Sequence, residues 1–256
     1  MLTGNSRARG IRLAQAAGIA CLCLYAAKAA TWDTFSEAVY KNDVADMEAF
    51  LHAPDPIPDI DVRGTNGKTA LMIAARSGEA DLVMELLERG ADPNSENING
   101  GTPLMFAAMS GSIPVVRALL DRGADVGATG SNGWNALMVA SAKGHEDAVK
   151  VLLDHGSDVN SADVYRWTPL HRAAYENRVS VVGILIRQEG VEIDFQDDQG
   201  ATALHHAAAG GYQEIVDMLL VAGSNPARRD LSGRTAAAYA KDSGHERLAD
   251  RLEGRT

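Results

Sequence analysis

The chain has 256 residues, 46% of them hydrophobic and 23% charged, with a formal net charge of −10. That much apolar residue excludes wholesale disorder. The acidic balance argues against nucleic acid or an anionic membrane as the main partner.

The first 30 residues differ from the rest. Arg7, Arg9, Arg12 and Lys28 stand there without a single acid, so the remainder carries −14. The arginines precede an apolar run from Leu13 to Ala27 broken only by Gln15, and Ala27-Lys28-Ala29-Ala30 follows as a small-residue pattern. A positive start, a short apolar middle and small residues at the end read as a secretory signal peptide, with the cut after Ala29 or Ala30. The run is shorter than the roughly 20 residues of a spanning helix, so no stable membrane insertion is expected after cleavage. Anchoring by the uncut segment is the alternative. Cys21 and Cys23 are the only cysteines and lie inside this run. The mature body therefore forms no disulfide. A lipid on Cys21 is conceivable, although the leucine usual three positions before such a cysteine is absent.

From residue 33 onward the text becomes periodic. GKTALMIAA at Gly67 returns as GGTPLMFAA from Gly100, GWNALMVAS from Gly133, RWTPLHRAA from Arg166 and GATALHHAA from Gly200. A weaker GRTAAAYA starts at Gly233. The threonine position falls at Thr69, Thr102, Asn135, Thr168, Thr202 and Thr235, in steps of 33, 33, 33, 34 and 33. Such a period marks a stacked array in which each unit packs on its neighbours.

One unit reads as follows. Asn66-Gly67 is a tight turn. Thr69 caps a helix whose apolar face, Leu71, Ala74 and Ala75, is small enough for close approach. Gly78 ends it in the left-handed conformation. A second helix follows with Leu82, Val83, Leu86 and Leu87 as its apolar face. Gly90 closes it, and Ala91-Asp92-Pro93-Asn94 leads into the next turn.

Thr-Pro-Leu-His-x-Ala-Ala, a glycine, Val-Val-x-x-Leu-Leu and Gly-Ala-Asp-x-Asn together resemble the ankyrin repeat, over residues 33–253. The resemblance implies an all-α repeat solenoid, a curved stack of helix-turn-helix pairs with short β-hairpin or loop fingers. It divides the chain into a signal peptide over 1–30 and a repeat domain over 31–256. Within the latter lie an N-terminal cap (33–63), five full repeats (64–230) and a C-terminal cap (231–253). The chain resembles exported bacterial members of the family. The fourth repeat departs from the pattern. Asn177 stands for the helix-ending glycine, an extra residue falls near Arg187-Gln188-Glu189, and Glu192 replaces the loop aspartate. A local distortion is expected there. The stiff loop Pro54-Asp55-Pro56-Ile57-Pro58 is longer than its counterparts. The motif histidine is kept at His171 and His205 but is Met72, Met105 and Met138 elsewhere, so the early fingers lose its hydrogen bonds.

His205-His206 is the sole histidine pair, and adjacent helical residues point about 100° apart, which disfavours shared chelation. GTNGKT from Gly64 lacks the spacing of a phosphate loop. No Gly-x-Ser-x-Gly and no mature cysteine supplies a nucleophile. Asp197-Asp198 and Arg228-Arg229-Asp230 read as finger and linker residues. The expectation is a protein without catalytic residues, metal or cofactor.

In this architecture a partner meets the fingers and the first helices. The chain is only 5% aromatic, yet Trp134, Tyr165, Trp167 and Tyr175 fall on those positions in repeats three and four. Trp134 and Trp167 share one slot in adjacent repeats, about 10 Å apart at the usual spacing of helix layers. With Met109, Lys143 and Glu176 as a rim, they form the candidate patch for a protein partner. The alternative is that the rings pack on one another and brace the fingers. The function expected is a protein–protein interaction scaffold in the periplasm. Alternatives are a secreted effector acting in another cell, or a non-catalytic inhibitor or protective subunit of a periplasmic enzyme, for example in oxidative-stress defence.

Overall fold

The computed structural model describes residues 35–52 and 59–254. The signal peptide expected over 1–30, with Cys21 and Cys23, and the proline loop at 54–58 lie outside the described residues. No helix among the described residues is long and apolar enough to cross a membrane.

The N-terminal cap holds the helical residues 35–41 (α1) and Val44–Leu51 (α2). Five helix pairs follow: Ala70–Ser77 with Ala80–Glu88 (α3, α4), Pro103–Ser110 with Ile113–Asp121 (α5, α6), Ala136–Lys143 with Glu146–Asp154 (α7, α8), Pro169–Tyr175 with Val179–Leu185 (α9, α10), and Ala203–Ala209 with Gln213–Val221 (α11, α12). Ala236–Asp242 and Glu246–Leu252 (α13, α14) form the C-terminal cap. The odd-numbered helices from α3 to α13 pack on one another in sequence as an inner layer. The even-numbered helices from α4 to α12 do the same as an outer layer. The result is an all-helical repeat solenoid, as the resemblance implies.

Each inner helix begins as its sequence dictates. The side chains of Thr69, Thr102, Asn135, Thr168 and Thr235 accept the backbone N–H three residues on, satisfying one of the free N-terminal donors. The alanine pairs Ala74–Ala75, Ala107–Ala108, Ala173–Ala174 and Ala207–Ala208 are fully buried. No larger side chain would let neighbouring inner helices approach so closely. Helix ends use the left-handed conformation at Gly78, Gly111 and Gly144, with φ of 79°, 74° and 81°. Asn177 takes the same conformation with φ of 55°, as expected of the residue that best replaces glycine there. The distortion expected in repeat four also occurs: α10 has seven residues where α4, α6, α8 and α12 have nine.

The fingers are turns, and no strand occurs among the described residues. Each finger closes with one hairpin-type bond, such as Asp163 N–H to Trp167 C=O at 3.0 Å. Adjacent fingers are joined by one backbone bond each, running from Ile98 to Asn66, Ser131 to Asn99, Val164 to Asn132, Asp198 to Tyr165 and Leu231 to Gln199. A second tie links the helix ends. His145 Nε2 donates to the Met109 carbonyl at 3.1 Å, and Arg178 Nε to the Ala142 carbonyl at 2.9 Å, capping the preceding inner helix from the next repeat.

Candidate functional site

The site is built on the fingers and inner helices of repeats three to five. Asp163 opens the fourth finger. Its Oδ1 accepts the N–H groups of Tyr165 at 2.9 Å and Trp167 at 2.8 Å, which fixes the turn. Its Oδ2 pairs with Arg172, nine residues on along α9. Asp197 repeats the arrangement, bonding the N–H groups of Gln199 and Ala201 and pairing with His206 Nε2 at 2.9 Å. Asp230 repeats it again, accepting from the Tyr239 hydroxyl at 2.8 Å. In the first three units the same two positions hold Gly64 and Ile73, Asn97 and Phe106, and Gly130 and Val139. A finger carboxylate therefore occurs where the inner helix supplies a donor, and an uncharged residue where it supplies an apolar side chain.

Arg172 organises the aromatics. Its guanidinium carbon lies 4.2 Å from the Trp134 ring centroid and 4.4 Å from that of Trp167. The two indoles are thus not packed on each other; a cation is held between them. Trp167 also meets His206, with the rings tilted by 43° and their centroids 4.4 Å apart, and Tyr175 edge-on at 5.3 Å. Trp134, Arg172, Trp167 and His206 form one continuous stack, anchored from below by Asp163 and Asp197.

Of the residues singled out in the sequence, Trp134, Trp167 and Tyr175 are brought together through this stack. Tyr165 stands on the finger tip, 59% exposed, with no ring contact to the stack among the described residues. Tyr175 is 53% exposed. Met109 is partly buried against the core, and Lys143 is exposed. Glu176 is exposed and 3.9 Å from Arg178. Arg172, and the pairing of His206 with Asp197, escaped the sequence reading. The signal that finds them is the nine-residue pairing with a finger aspartate, seen only when all six units are aligned.

The titratable groups carry the marks of burial. Burial, then the neighbouring His206, pushes the His171 imidazole down to about 4. The Thr168 N–H donates to His171 Nδ1 at 3.3 Å, so the ring proton sits on Nε2, which donates to the Ala201 carbonyl at 3.3 Å. His205 makes the same bonds to Thr202 and the Arg234 carbonyl, and burial lowers its pKa too. Burial would raise the Asp197 carboxyl. The bonds from His206 and the Ala201 and Gln199 N–H groups outweigh it and hold the group below its ordinary value. Burial and the bond to Asp230 lift the Tyr239 phenol to about 12.

His171, Asp197 and His206 offer three ligand-type atoms within 4.8 Å of one another. Both His171 nitrogens and the Asp197–His206 pair are already matched in hydrogen bonds. Their roles are those of a brace joining repeats four and five. The metal candidate visible in the sequence, His205-His206, is a different pair, and His205 serves the C-terminal cap instead.

Comparison with known proteins agrees with this geometry. The family model described as "Ankyrin repeats (3 copies)" matches residues 35–130, 123–197 and 177–253. The chain is similar to calmodulin-binding transcription activator 4 of Arabidopsis thaliana, 40% identical over 73 residues, or 26% of this chain and 7% of that protein. It is similar also to the ARF GTPase-activating protein GIT1 of Homo sapiens, 41% identical over 58 residues, or 23% and 8%. The match thus spans less than a tenth of the length of these curated relatives. Among solved structures, the human ASB11 ankyrin repeat domain superposes with a TM-score of 0.73 at 26% identity, covering 86% of this chain and 97% of that one. Period, caps, finger turns and these matches leave one conclusion: the chain belongs to the ankyrin-repeat family.

Proposed function

We infer that this chain is a non-catalytic scaffold that binds a protein partner across its fingers and inner helices. The patch comprises Trp134, Tyr165, Trp167 and Tyr175, rimmed by Met109, Lys143 and Glu176. Ankyrin repeats generally mediate protein–protein interaction, and the fold is typically non-catalytic. The observation that carries the reading is the Trp134–Arg172–Trp167–His206 stack. It holds Tyr175 against a rigid wall while leaving that ring 53% exposed. A pre-ordered, half-exposed aromatic costs little entropy to engage, which is the character of an interface hot spot.

The leader supports export to the periplasm or beyond. Mass spectrometry of the mature chain would then find Ala30 or Thr31 at its N-terminus, whereas an intact Met1 terminus contradicts cleavage. Binding is tested by crosslinking capture from native periplasmic extract. Tyr165→Ala/Tyr175→Ala is the variant of choice, because neither ring anchors the buried pairs. A partner held by wild type and lost by this variant supports the patch. An identical catch from both moves the interface elsewhere.

A further inference from the structure

The finger-and-inner-helix segments divide by charge. Segments 64–78, 97–111 and 130–144 contain Lys68, Arg76 and Lys143 and not one carboxylate. The equivalent segments 163–177, 197–211 and 230–244 contain six acids. The chain as a whole is at −10, and the outer stretch 79–96 alone carries six acids against Arg89. A carboxylate-free face is therefore a local feature, not a reflection of composition.

Lys68, Arg76 and Lys143 take part in no ion pair among the described residues. Lys68 and Arg76 flank a cleft of about 380 Å³ floored by Ile73, with Asn42 and Ser77 as further donors. Along the same face Ile98, 71% exposed, and the partly buried Met109 supply apolar surface, and the Lys68 ammonium lies 5.8 Å from the centroid of the buried Phe106. In the later units the corresponding positions are occupied by the internal Asp163–Arg172, Asp197–His206 and Asp230–Tyr239 pairs. The early units leave an apolar floor with a cationic rim.

We propose that the first three repeats hold an extended acidic segment of a protein partner. Its carboxylates pair with Lys68, Arg76 and Lys143, and its apolar side chains lie over Ile98 and Met109. This rests on the reading that the face of fingers and inner helices binds protein, and it names the chemistry of what is bound. Charge complementarity selects the acidic segment. A nucleic acid would match the cations but not the apolar floor, and would meet the repulsion of a body at −14 over residues 31–256.

The test is selection of random dodecapeptides displayed on phage against the wild-type chain, with the recovered peptides measured by fluorescence anisotropy. Expected are peptides rich in Asp and Glu interleaved with aliphatic or aromatic residues. Their affinity falls at least about tenfold with Lys68→Glu/Arg76→Glu/Lys143→Glu and weakens with added salt. The reversed variant, whose substitutions fall at exposed Arg76 and Lys143 and half-buried Lys68 and replace no buried residue, selects Lys- and Arg-bearing peptides instead. Neutral or basic peptides from wild type, or acidic ones that ignore the reversal, overturn the proposal. If those peptides are still lost with Tyr165→Ala/Tyr175→Ala, the face binds protein and only the acidic chemistry is wrong. If binding depends on neither set, or no peptide is recovered, both readings fall. Preferential binding of an oligothymidylate over the selected peptides also overturns the proposal, in favour of nucleic acid.

Discussion

Asp163 and Arg172 form an ion pair at the base of the fourth finger, with the carboxylate wholly shielded from solvent. The pair ties a turn to a helix and at the same time fixes a cation between Trp134 and Trp167. Burial of one charge and stacking of the other make the two residues interdependent.

Arg172→Phe leaves the Asp163 carboxylate buried and unpaired, and is expected to cost about 3 kcal/mol. Asp163→Asn keeps the turn acceptor and costs less, about 1–2 kcal/mol, because Arg172 retains some solvent. The double variant reproduces the Asn97 and Phe106 combination found in the second repeat and is expected to be more stable than Arg172→Phe alone. Urea unfolding of the four proteins measures the coupling; strictly additive losses would contradict it.

His171 is neutral in the fold, with its pKa pushed by burial to about 4 from an ordinary 6.5. The unfolded chain takes up that proton between these values and the folded chain does not. Stability therefore falls as the pH drops from 6.5 toward 4, by up to about 1.4 kcal/mol per pH unit from this residue, and is flat with respect to it above that window. His205 adds in the same direction. His171→Met, the residue of the first three repeats, loses about 1–2 kcal/mol at neutral pH with its hydrogen bonds. It also flattens the acid slope. Thermal melts across this pH range in both proteins check it, and an unchanged slope would show that His171 does not drive it.

Trp167 contacts Arg172, Tyr175 and His206 at once. Trp167→Ala is expected to destabilise the chain by about 2–3 kcal/mol, below the figure for a fully buried tryptophan because the residue is only partly buried. Tyr165→Ala is expected to fall within about 0.5 kcal/mol of wild type. Denaturant midpoints separate the two, and equal losses would contradict the assignment of one ring to the brace and the other to the surface.

Asn177 holds a left-handed φ of 55° where the other full repeats place glycine. Asn177→Gly is expected to stabilise by about 0.5 kcal/mol by relieving the Cβ clash. A lower unfolding midpoint would show that the asparagine side chain contributes more than its backbone conformation costs.

Period, helix caps and left-handed positions were legible in the residues because each is enforced locally. A threonine caps its own helix, and a glycine or asparagine ends one. The aromatic positions followed from the same register. Arg172 and His206 were not legible in this way. Their roles depend on partners nine residues away and in neighbouring repeats, and an arginine inside RWTPLHRAA reads as an exposed charge until the finger aspartate is set against it. The shortened α10 could be anticipated from the extra residue near Arg187-Gln188-Glu189, but not which helix would absorb it.

The central claim is that the fingers and inner helices receive a protein. Photocrosslinking addresses it most directly, with a benzophenone amino acid placed singly at Tyr165, Tyr175 or Met109, or at Arg117 on the outer helix α6. The account predicts one common adduct from the first three positions and none from Arg117. An adduct from Arg117 alone would place the interface on the outer layer and contradict it.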